Sequence, residues 1–442
     1  TRICHSKSVV EQGERTEASL RPYERDTAKR VMTPASAKAR RYLIEEREKK
    51  LLEFSNDCKY NYIEWGSERE IGIIASGISY QHAREAVESM PEMAGRVSFL
   101  KLGFTYPLPD ELIRSFADEI IKICVIEENE PYIENFVRQL GIPCLGRELL
   151  PAVDELNPGI VRRALFGAKR GDAYSVDSSP PPRPPVLCPG CSHRGVFYAM
   201  SKYKDIAVSG DIGCYTLGVM PPLGVIDSVI CMGAGISSGI GYAKAFARRP
   251  AGGAVKKVFG VIGDSTFFHS GITGLIDAVV NKSDMALCIL DNRVTAMTGH
   301  QENPGTGLTI RDEETVAIDL RELCVACGVH PQNVRSVDSY DLSAVEEALR
   351  EAYAAREIFV IIATQPCALI KDVMRRRAET RCEIDEGRCV KCKICMKVGC
   401  PAISFKGEAN KIEIDRSMCN GCAICAQVCP KDAIVRVGEL IG

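Results

Sequence analysis

The sequence predicts an α/β protein in three folded parts: a small parallel-sheet domain, a larger parallel-sheet domain, and a short α+β tail rich in cysteine. Three observations carry this. From Arg69 to about Leu150, and again from residue 186 to about residue 375, short apolar runs alternate with amphipathic stretches of helical period, the pattern of strands linked by crossover helices. A proline-rich stretch that can be neither helix nor central strand separates these two regions. Beyond about Arg381 the pattern gives way to two matching cysteine runs, an internal repeat of about thirty residues.

The elements follow in order. The chain opens on Thr1, Arg2, Ile3, Cys4 and His5, without an initiator methionine and apparently in mid-domain, so a missing upstream piece is the expectation. Residues 1–66 are an N-terminal segment containing an exposed helix over Ala37–Phe54, whose alternating charges mark a solvated face and no function. Residues 67–150 read strand, helix, strand, helix, strand: EIGIIASG, YQHAREAVESM, VSFLKLG, a helix near Asp110, and KICVIEEN. This is a small α/β domain resembling the C-terminal domain of transketolases. Residues 151–185 are expected to be a linker, ending in the strap Ser178, Ser179, Pro180, Pro181, Pro182, Arg183, Pro184, Pro185. Residues 186–375 form the larger domain and 376–442 the cysteine module.

Composition narrows the function. A length of 442 residues suits roughly three domains. Lys+Arg 56 against Asp+Glu 58 leaves a net charge of -2, with no global basic excess for nucleic acid or an anionic membrane. No uninterrupted apolar span is long enough to cross a bilayer. Twenty-one cysteines without a secretory signal indicate a reducing compartment, and the cytoplasm is expected.

The tail carries Cys389, Cys392, Cys395, Cys400 before Pro401, and Cys419, Cys422, Cys425, Cys429 before Pro430. Thiolates at two-residue intervals let a loop wrap one face of an iron–sulfur cubane, while the proline ends the loop and sends the fourth sulfur to the other cluster. The second run fits the CxxCxxCxxxCP pattern of bacterial ferredoxins; the first has one extra residue before Cys400, a tolerated loop variant. Structural zinc takes two separated ligand pairs, a different arrangement from eight sulfurs in two proline-ended runs. Two [4Fe-4S] clusters are therefore expected, one on Cys389, Cys392, Cys395 and Cys429, the other on Cys419, Cys422, Cys425 and Cys400.

In the larger domain, the strand KKVFGVIGD delivers Gly263, Asp264 and Ser265 to a helix start, and the strand MALCILDN delivers Asp291 and Asn292. Two strand ends thus present Asp264 and Asn292 together. Magnesium on a diphosphate asks of the protein only a carboxylate, an amide oxygen and a carbonyl, and the helix start after Gly263 offers N–H groups to the phosphates. A lone Gly-Asp pair is weak evidence, because such turns often carry these residues as caps. The full spacing to Asn292 is what makes the pattern specific.

The run GDSTFFHSGITGLIDAVVNKSDMALCILDNRVTAMTG resembles the thiamine diphosphate motif of 2-oxoacid:ferredoxin oxidoreductases. With LCPGCSHRGVFYAM, GDIGCYTLG, GHQENPGTG and the double ferredoxin tail, nearly the whole chain resembles the alpha subunits of indolepyruvate ferredoxin oxidoreductases. The resemblance implies a thiamine-diphosphate-binding parallel-sheet domain and a two-cluster ferredoxin domain. Magnesium would be held by Asp264, Asn292 and the Val294 carbonyl, with Gly263 and Ser265 in the cofactor site. Ser265 stands where a second glycine is usual and Asp291 where an asparagine is usual; neither replaces a metal ligand. The implied reaction is oxidative decarboxylation of an arylpyruvate, with the acyl group passing to coenzyme A and the electrons to an external ferredoxin. A smaller beta subunit is the implied partner. The family's activating glutamate lies in its N-terminal domain, whose exit TRICHSKSVVE resembles, so no catalytic residue is assigned here.

Cys188, Cys191, Cys214 and Cys367 are implied by the same resemblance as a third cluster, although CPGC by itself reads equally well as a redox pair or half a zinc site. The run from Met232 to Gly239 has the spacing GxGxxxG, wrong for a dinucleotide fingerprint; tight helix packing is expected and NAD is not. His193, His269 and His300 fall within motifs without an assignable proton role. A pyruvate or branched-chain 2-oxoacid substrate, or an electron-transfer subunit with no catalysis of its own, are the competing readings. Little sequence follows the second cysteine run, so Cys419–Cys429 is the expected exit toward external ferredoxin.

Overall fold

The structure, a computed structural model, describes residues 9, 11–20, 22–167, 183–248, 255–377 and 380–437. It divides into two compact units, Thr1–Pro180 and Pro181–Gly442.

In the first unit a helix runs over Pro34–Asp57, started by Thr33, whose hydroxyl accepts from Ser36 N at 3.3 Å, and by a proline in its first turn. Of its residues only Ser55 is buried, in keeping with a solvated helix. Five strands follow: β1 (Tyr62–Glu64), β2 (Ile71–Ser76), β3 (Val97–Leu102), β4 (Lys122–Ile126) and β5 (Cys144–Leu145). They form one sheet in the order β1-β3-β2-β4-β5, parallel except for β1, which runs antiparallel to β3. Central strands covered on both faces need near-continuous apolar sequence, and Ile73, Ile74, Leu100 and Val125 are fully buried.

Two boundaries move. Tyr62–Glu64 belongs to this sheet, and the Asn61 amide ties it in, accepting from Gly103 N at 2.9 Å and Phe104 N at 2.8 Å. The expected linker 151–185 begins too early: a helix at Pro158–Phe166, capped by Asn157, packs on the helix Gly77–Glu88 and buries Leu156 and Val161 in the same core. Alternation of amphipathic helix and strand signals ends at Leu150, which is why this last helix escapes a pattern reading. Of the proline strap, Ser178–Pro182 lies outside the described residues.

The second unit has a five-stranded all-parallel sheet made of β6 (Ile206–Ser209), β7 (Lys257–Gly263), β8 (Met285–Asp291), β9 (Val334–Asp338) and β10 (Phe359–Thr364), in the order β6-β7-β8-β10-β9. Every residue of β7 and β8 is buried, with a separate apolar core on each face. The MGAGISSG run starts the helix Ala234–Phe246, which packs on β7; a Cβ on Gly239 would lie 2.7 Å from Met285. Close approach, the expected role, accounts for its glycines.

The tail adds β11 (Cys382–Ile384), β12 (Ile403–Lys406), β13 (Lys411–Ile414) and β14 (Ile434–Arg436). The pairing crosses the repeat: β11, before the first cysteine run, pairs with β14, after the second, while β12 and β13 form a hairpin between them. This exchange carries Cys429 back to the first run and Cys400 forward to the second. The tail is bonded to the sheet domain. Asn420 donates to the Pro189 carbonyl at 2.8 Å, and Gln427 donates to the Tyr340 carbonyl at 2.7 Å and accepts from Leu342 N at 3.0 Å.

Candidate functional site

Strands β7 and β8 are adjacent and in register, Gly263 opposite Leu290, so Asp264 and Asp291 leave the same sheet edge side by side. In such sheets ligands bind outside the carboxyl ends of the strands. A largely apolar cavity of about 420 Å³ opens there, its lining including Tyr215, Phe268, Met297, Asp264, Asn292 and Asn303. Gly263, Ser265, Val294 and His269 also line it.

Asp264 is buried, and each of its oxygens is fixed: Oδ1 accepts from Ser265 N at 2.8 Å, Oδ2 from Asn303 Nδ2 at 3.0 Å. Asn303 also donates to Ser265 Oγ at 3.1 Å. Burial, then the charge of Asp291, pushes the Asp264 carboxyl up to about 7, against these hydrogen bonds. Asp291 has its own partners, Arg293 Nε at 2.9 Å and Thr364 Oγ1 at 3.1 Å. It is therefore occupied by protein, while Asp264 keeps an open side.

That side faces Asn292. One polar atom of the Asn292 amide lies 3.2 Å from Asp264 Oδ1 and 2.7 Å from the Val294 carbonyl oxygen. With nitrogen in that place the amide donates to both. With oxygen there, three acceptors converge with no donor among them, an arrangement that a proton on Asp264 or a cation reconciles. The amide can serve either state by turning over, so the residues present fit a hard cation that has oxygen ligands.

Asp211, within the GDIGCYTLG run but without an expected role, orders the wall opposite. Fully buried, it accepts from Gly233 N at 3.0 Å, Gly235 N at 2.7 Å and Ile212 N at 2.8 Å, and so holds the start of the Ala234–Phe246 helix. Asn303 was equally unmarked as a functional residue, although it sits within the GHQENPGTG run.

A second cavity, lined by Cys188, Cys191, Cys214 and Cys367, shares His193, Cys214, Asn292 and Ala296 with the first as a common wall. The Cys367 N–H donates to the Asn292 carbonyl at 2.9 Å, and His300 Nε2 is 3.8 Å from Cys367 Sγ. Burial pushes the Cys191 thiol up to about 12 and the His193 imidazole down to about 4. A thiolate here needs a metal to hold it, and His193 is neutral at ordinary pH.

The tail cysteines fall into two further sets. Cys389, Cys392, Cys395 and Cys429 line one cavity; Cys400, Cys419, Cys422 and Cys425 line another, with the buried Cys382 as a fifth sulfur that no spacing rule singles out. Cys419 Sγ accepts from Cys382 N at 3.4 Å and Cys429 Sγ from Ala433 N at 3.3 Å, N–H···S bonds of the kind that would tune the sulfurs of a bound cluster. Among the described residues no three His, Cys, Asp or Glu side chains converge on a single-ion site. The sulfurs instead ring voids.

The expected exit needs correction. The cavity of Cys400, Cys419, Cys422 and Cys425 is also lined by Gly190 and Arg194 of the sheet domain, so it faces inward. On the other set Cys392 is exposed and Val390 is 59% exposed. Distance from the chain end says nothing about which face of the tail packs on its neighbour.

Residues 211–363 match the family model for the C-terminal thiamine pyrophosphate-binding domain of thiamine pyrophosphate enzymes, and 412–435 match the 4Fe-4S binding domain. The chain is 36% identical to the indolepyruvate oxidoreductase subunit IorA of Archaeoglobus fulgidus, covering 98% of this chain and 71% of that protein. It is 37% identical to the same subunit from Thermococcus kodakarensis (98% and 72%), and 35% identical to that of Pyrococcus abyssi (100% and 73%). A solved 2-oxoglutarate:ferredoxin oxidoreductase from Magnetococcus marinus matches at 16% identity and TM-score 0.36, over 45% of this chain and 71% of that one. That likeness is too distant to carry an argument. No helix among the described residues is long and apolar enough to cross a membrane.

Proposed function

Since this chain belongs to the family of indolepyruvate oxidoreductase IorA subunits, as its relatives at 34–37% identity establish, we propose that it catalyses oxidative decarboxylation of arylpyruvates such as indolepyruvate. It is an oxidoreductase of the 2-oxoacid type with a thiamine diphosphate domain and a 4Fe-4S domain. In the proposed reaction the acid and coenzyme A give an acyl thioester and carbon dioxide. Two electrons leave singly to two molecules of external ferredoxin, and one proton is released. A smaller partner subunit completes the enzyme.

The observation that carries this reading is the wall common to the two cavities, His193, Cys214, Asn292 and Ala296. It would set the carbon chemistry directly against the first electron acceptor. Bound thiamine diphosphate supplies the electron sink that makes loss of the carboxylate feasible. The chain's own residues do the rest. Asp264, Asn292 and the Val294 carbonyl would hold Mg²⁺ on the diphosphate, with Asn303 and Ser265 fixing the Asp264 carboxylate. Phe268, Met297 and Tyr215 supply apolar surface that excludes water and suits an aromatic side chain. His193, neutral and buried, can hold a hydrogen bond across the wall without adding charge. Cys188, Cys191, Cys214 and Cys367 would take the first cluster, Cys400, Cys419, Cys422 and Cys425 the second, and Cys389, Cys392, Cys395 and Cys429 the third and outermost.

The test is made on the complex with its partner subunit, under anaerobic conditions. Indolepyruvate, thiamine diphosphate, Mg²⁺ and coenzyme A together should bleach the cluster absorbance, and omitting thiamine diphosphate should prevent it. Bleaching by pyruvate or a branched-chain 2-oxoacid in preference to arylpyruvates would overturn the substrate assignment. No bleaching by any 2-oxoacid, beside normal reduction by dithionite, would leave an electron-transfer subunit.

A further inference from the structure

Arg194 opens the helix Arg194–Met200 and, at 1% exposure, is among the largest fully buried side chains of the described residues. Its guanidinium donates to four backbone carbonyls in two loops: Nη2 to Leu187 at 2.5 Å and Cys188 at 3.0 Å, Nη1 to Val398 at 3.1 Å and Gly399 at 2.6 Å. Its Nε is buried without a partner. Among the described residues no carboxylate forms an ion pair with it.

A guanidinium cannot escape this situation by losing its proton. Carbonyl dipoles solvate it but leave its net charge, and an uncompensated charge in a dry interior is strongly destabilising. The fold therefore calls for an anion nearby. Arg194 lines the cavity ringed by Cys400, Cys419, Cys422 and Cys425. The carbonyls it grips belong to the loop of Cys188 and Cys191 on one side and to the loop leading to Cys400 on the other. Gly399 has φ 71°, and a Cβ there would lie 2.9 Å from Pro222, so the loop whose carbonyl Arg194 grips needs glycine at this turn. A cubane with four thiolate ligands is an anion, and its negative charge grows by one on reduction.

We propose that Arg194 is a positioning residue whose charge is the counterion of the cluster on Cys400, Cys419, Cys422 and Cys425, favouring that cluster's reduced form. This rests on the cluster assignments of the preceding subsection. Because the same guanidinium also bonds the Cys188 carbonyl at 3.0 Å, it stands between the two cavities that electrons would pass through on their way to the tail. Clamping both cysteine loops with one side chain also fixes the gap they cross.

The experiment is an anaerobic redox titration of the holo-complex, followed by electron paramagnetic resonance, with iron analysis of each sample. Wild type is compared with Arg194→Gln and Arg194→Lys. Removing the charge should disfavour reduction of the inner tail cluster by tenfold or more, a fall in midpoint of about 59 mV per tenfold for one electron. The cluster on Cys389, Cys392, Cys395 and Cys429 should move less. Arg194→Lys, which keeps the charge but loses the four-carbonyl clamp, should restore most of the midpoint. Should Arg194→Gln lose iron while Arg194→Lys keeps both iron and midpoint, the requirement for charge stands. Unchanged midpoints in both variants would overturn the proposal. So would a lysine variant that shifts as far as the glutamine variant, or loses iron alongside it, since the role is then only to tie loops together. An iron content that does not fall from wild type to Cys422→Ala would fail the cluster assignment instead.

Discussion

Asn303→Ala removes the side chain that holds Asp264 without touching any expected metal ligand. Asn303 Nδ2 occupies Asp264 Oδ2 at 3.0 Å and Ser265 Oγ at 3.1 Å, and its Oδ1 accepts from Gly305 N at 2.9 Å. Without it the carboxylate loses its anchor on one oxygen and can rotate away from Asn292 and Val294. Partners of this kind are worth roughly 10–100-fold in metal affinity, or about 1.4–2.7 kcal/mol at 1.36 kcal/mol per decade. The metal-free protein should lose stability too, because the bonds to Asp264, Ser265 Oγ and Gly305 N disappear together, each worth about 0.5–1.5 kcal/mol. Metal affinity and stability should therefore both fall. Calorimetric titration of Mg²⁺ at saturating thiamine diphosphate gives the first quantity, and urea unfolding without metal the second. A Mg²⁺ affinity unchanged while stability drops would refute the role assigned to Asn303 and weaken the placement of the ion beside Asp264.

Further outcomes are expected. Asp264→Ala should abolish Mg²⁺-dependent thiamine diphosphate binding and leave cluster spectra intact; unchanged cofactor affinity would refute the ligand assignment. Iron analysis should give about twelve atoms per chain if all three cysteine sets hold cubanes, and Cys367→Ser should lower that by about four while the two tail signals persist. Deleting the tail is a poorer test, because Asn420 and Gln427 bond it to the sheet domain. Gly190→Ala should destabilise the second unit by about 1–3 kcal/mol, because its φ is +66° and a Cβ would lie 2.7 Å from Asn420 Cβ; an unchanged urea midpoint would count against the interlock. Val390→Glu, beside the exposed Cys392, should slow reduction of external ferredoxin and spare substrate-driven bleaching, and the reverse result would return the exit to the Cys419 side.

What the sequence disclosed and what it hid divide along a physical line. The ends of β7 and β8 and the CxxC spacings are local: strand period and loop geometry act over a few residues, so Asp264, Asn292 and the cysteine runs could be read directly. Asn303 reaches Asp264 across 39 positions and Arg194 reaches Gly399 across 205, and no periodic pattern records such a contact. Asp211 binds three backbone N–H groups, two of them more than twenty positions away, a role its motif does not spell out. The helix Pro158–Phe166 fell within an expected linker because a short capped helix without a following strand resembles spacer sequence. The cover that Gly190 and Arg194 give the Cys419 side is likewise invisible in the sequence, since nearness to the chain end does not determine nearness to solvent.

The exchange of strands in the tail has a consequence for biosynthesis. Cys429 closes the cavity begun by Cys389, and Cys400 closes the one begun by Cys419, so on the proposed assignment neither cubane can have its fourth thiolate until both halves of the repeat have met. A nascent chain that has emerged only as far as Cys400 can offer iron an incomplete shell. The inner set is complete in sequence at Cys425, whereas the outer set stays open until Cys429 is made. Because Val398 and Ile424 of the tail enter the core of the sheet domain, and Gly190 and Arg194 of that domain wall the inner set, the two would finish folding together.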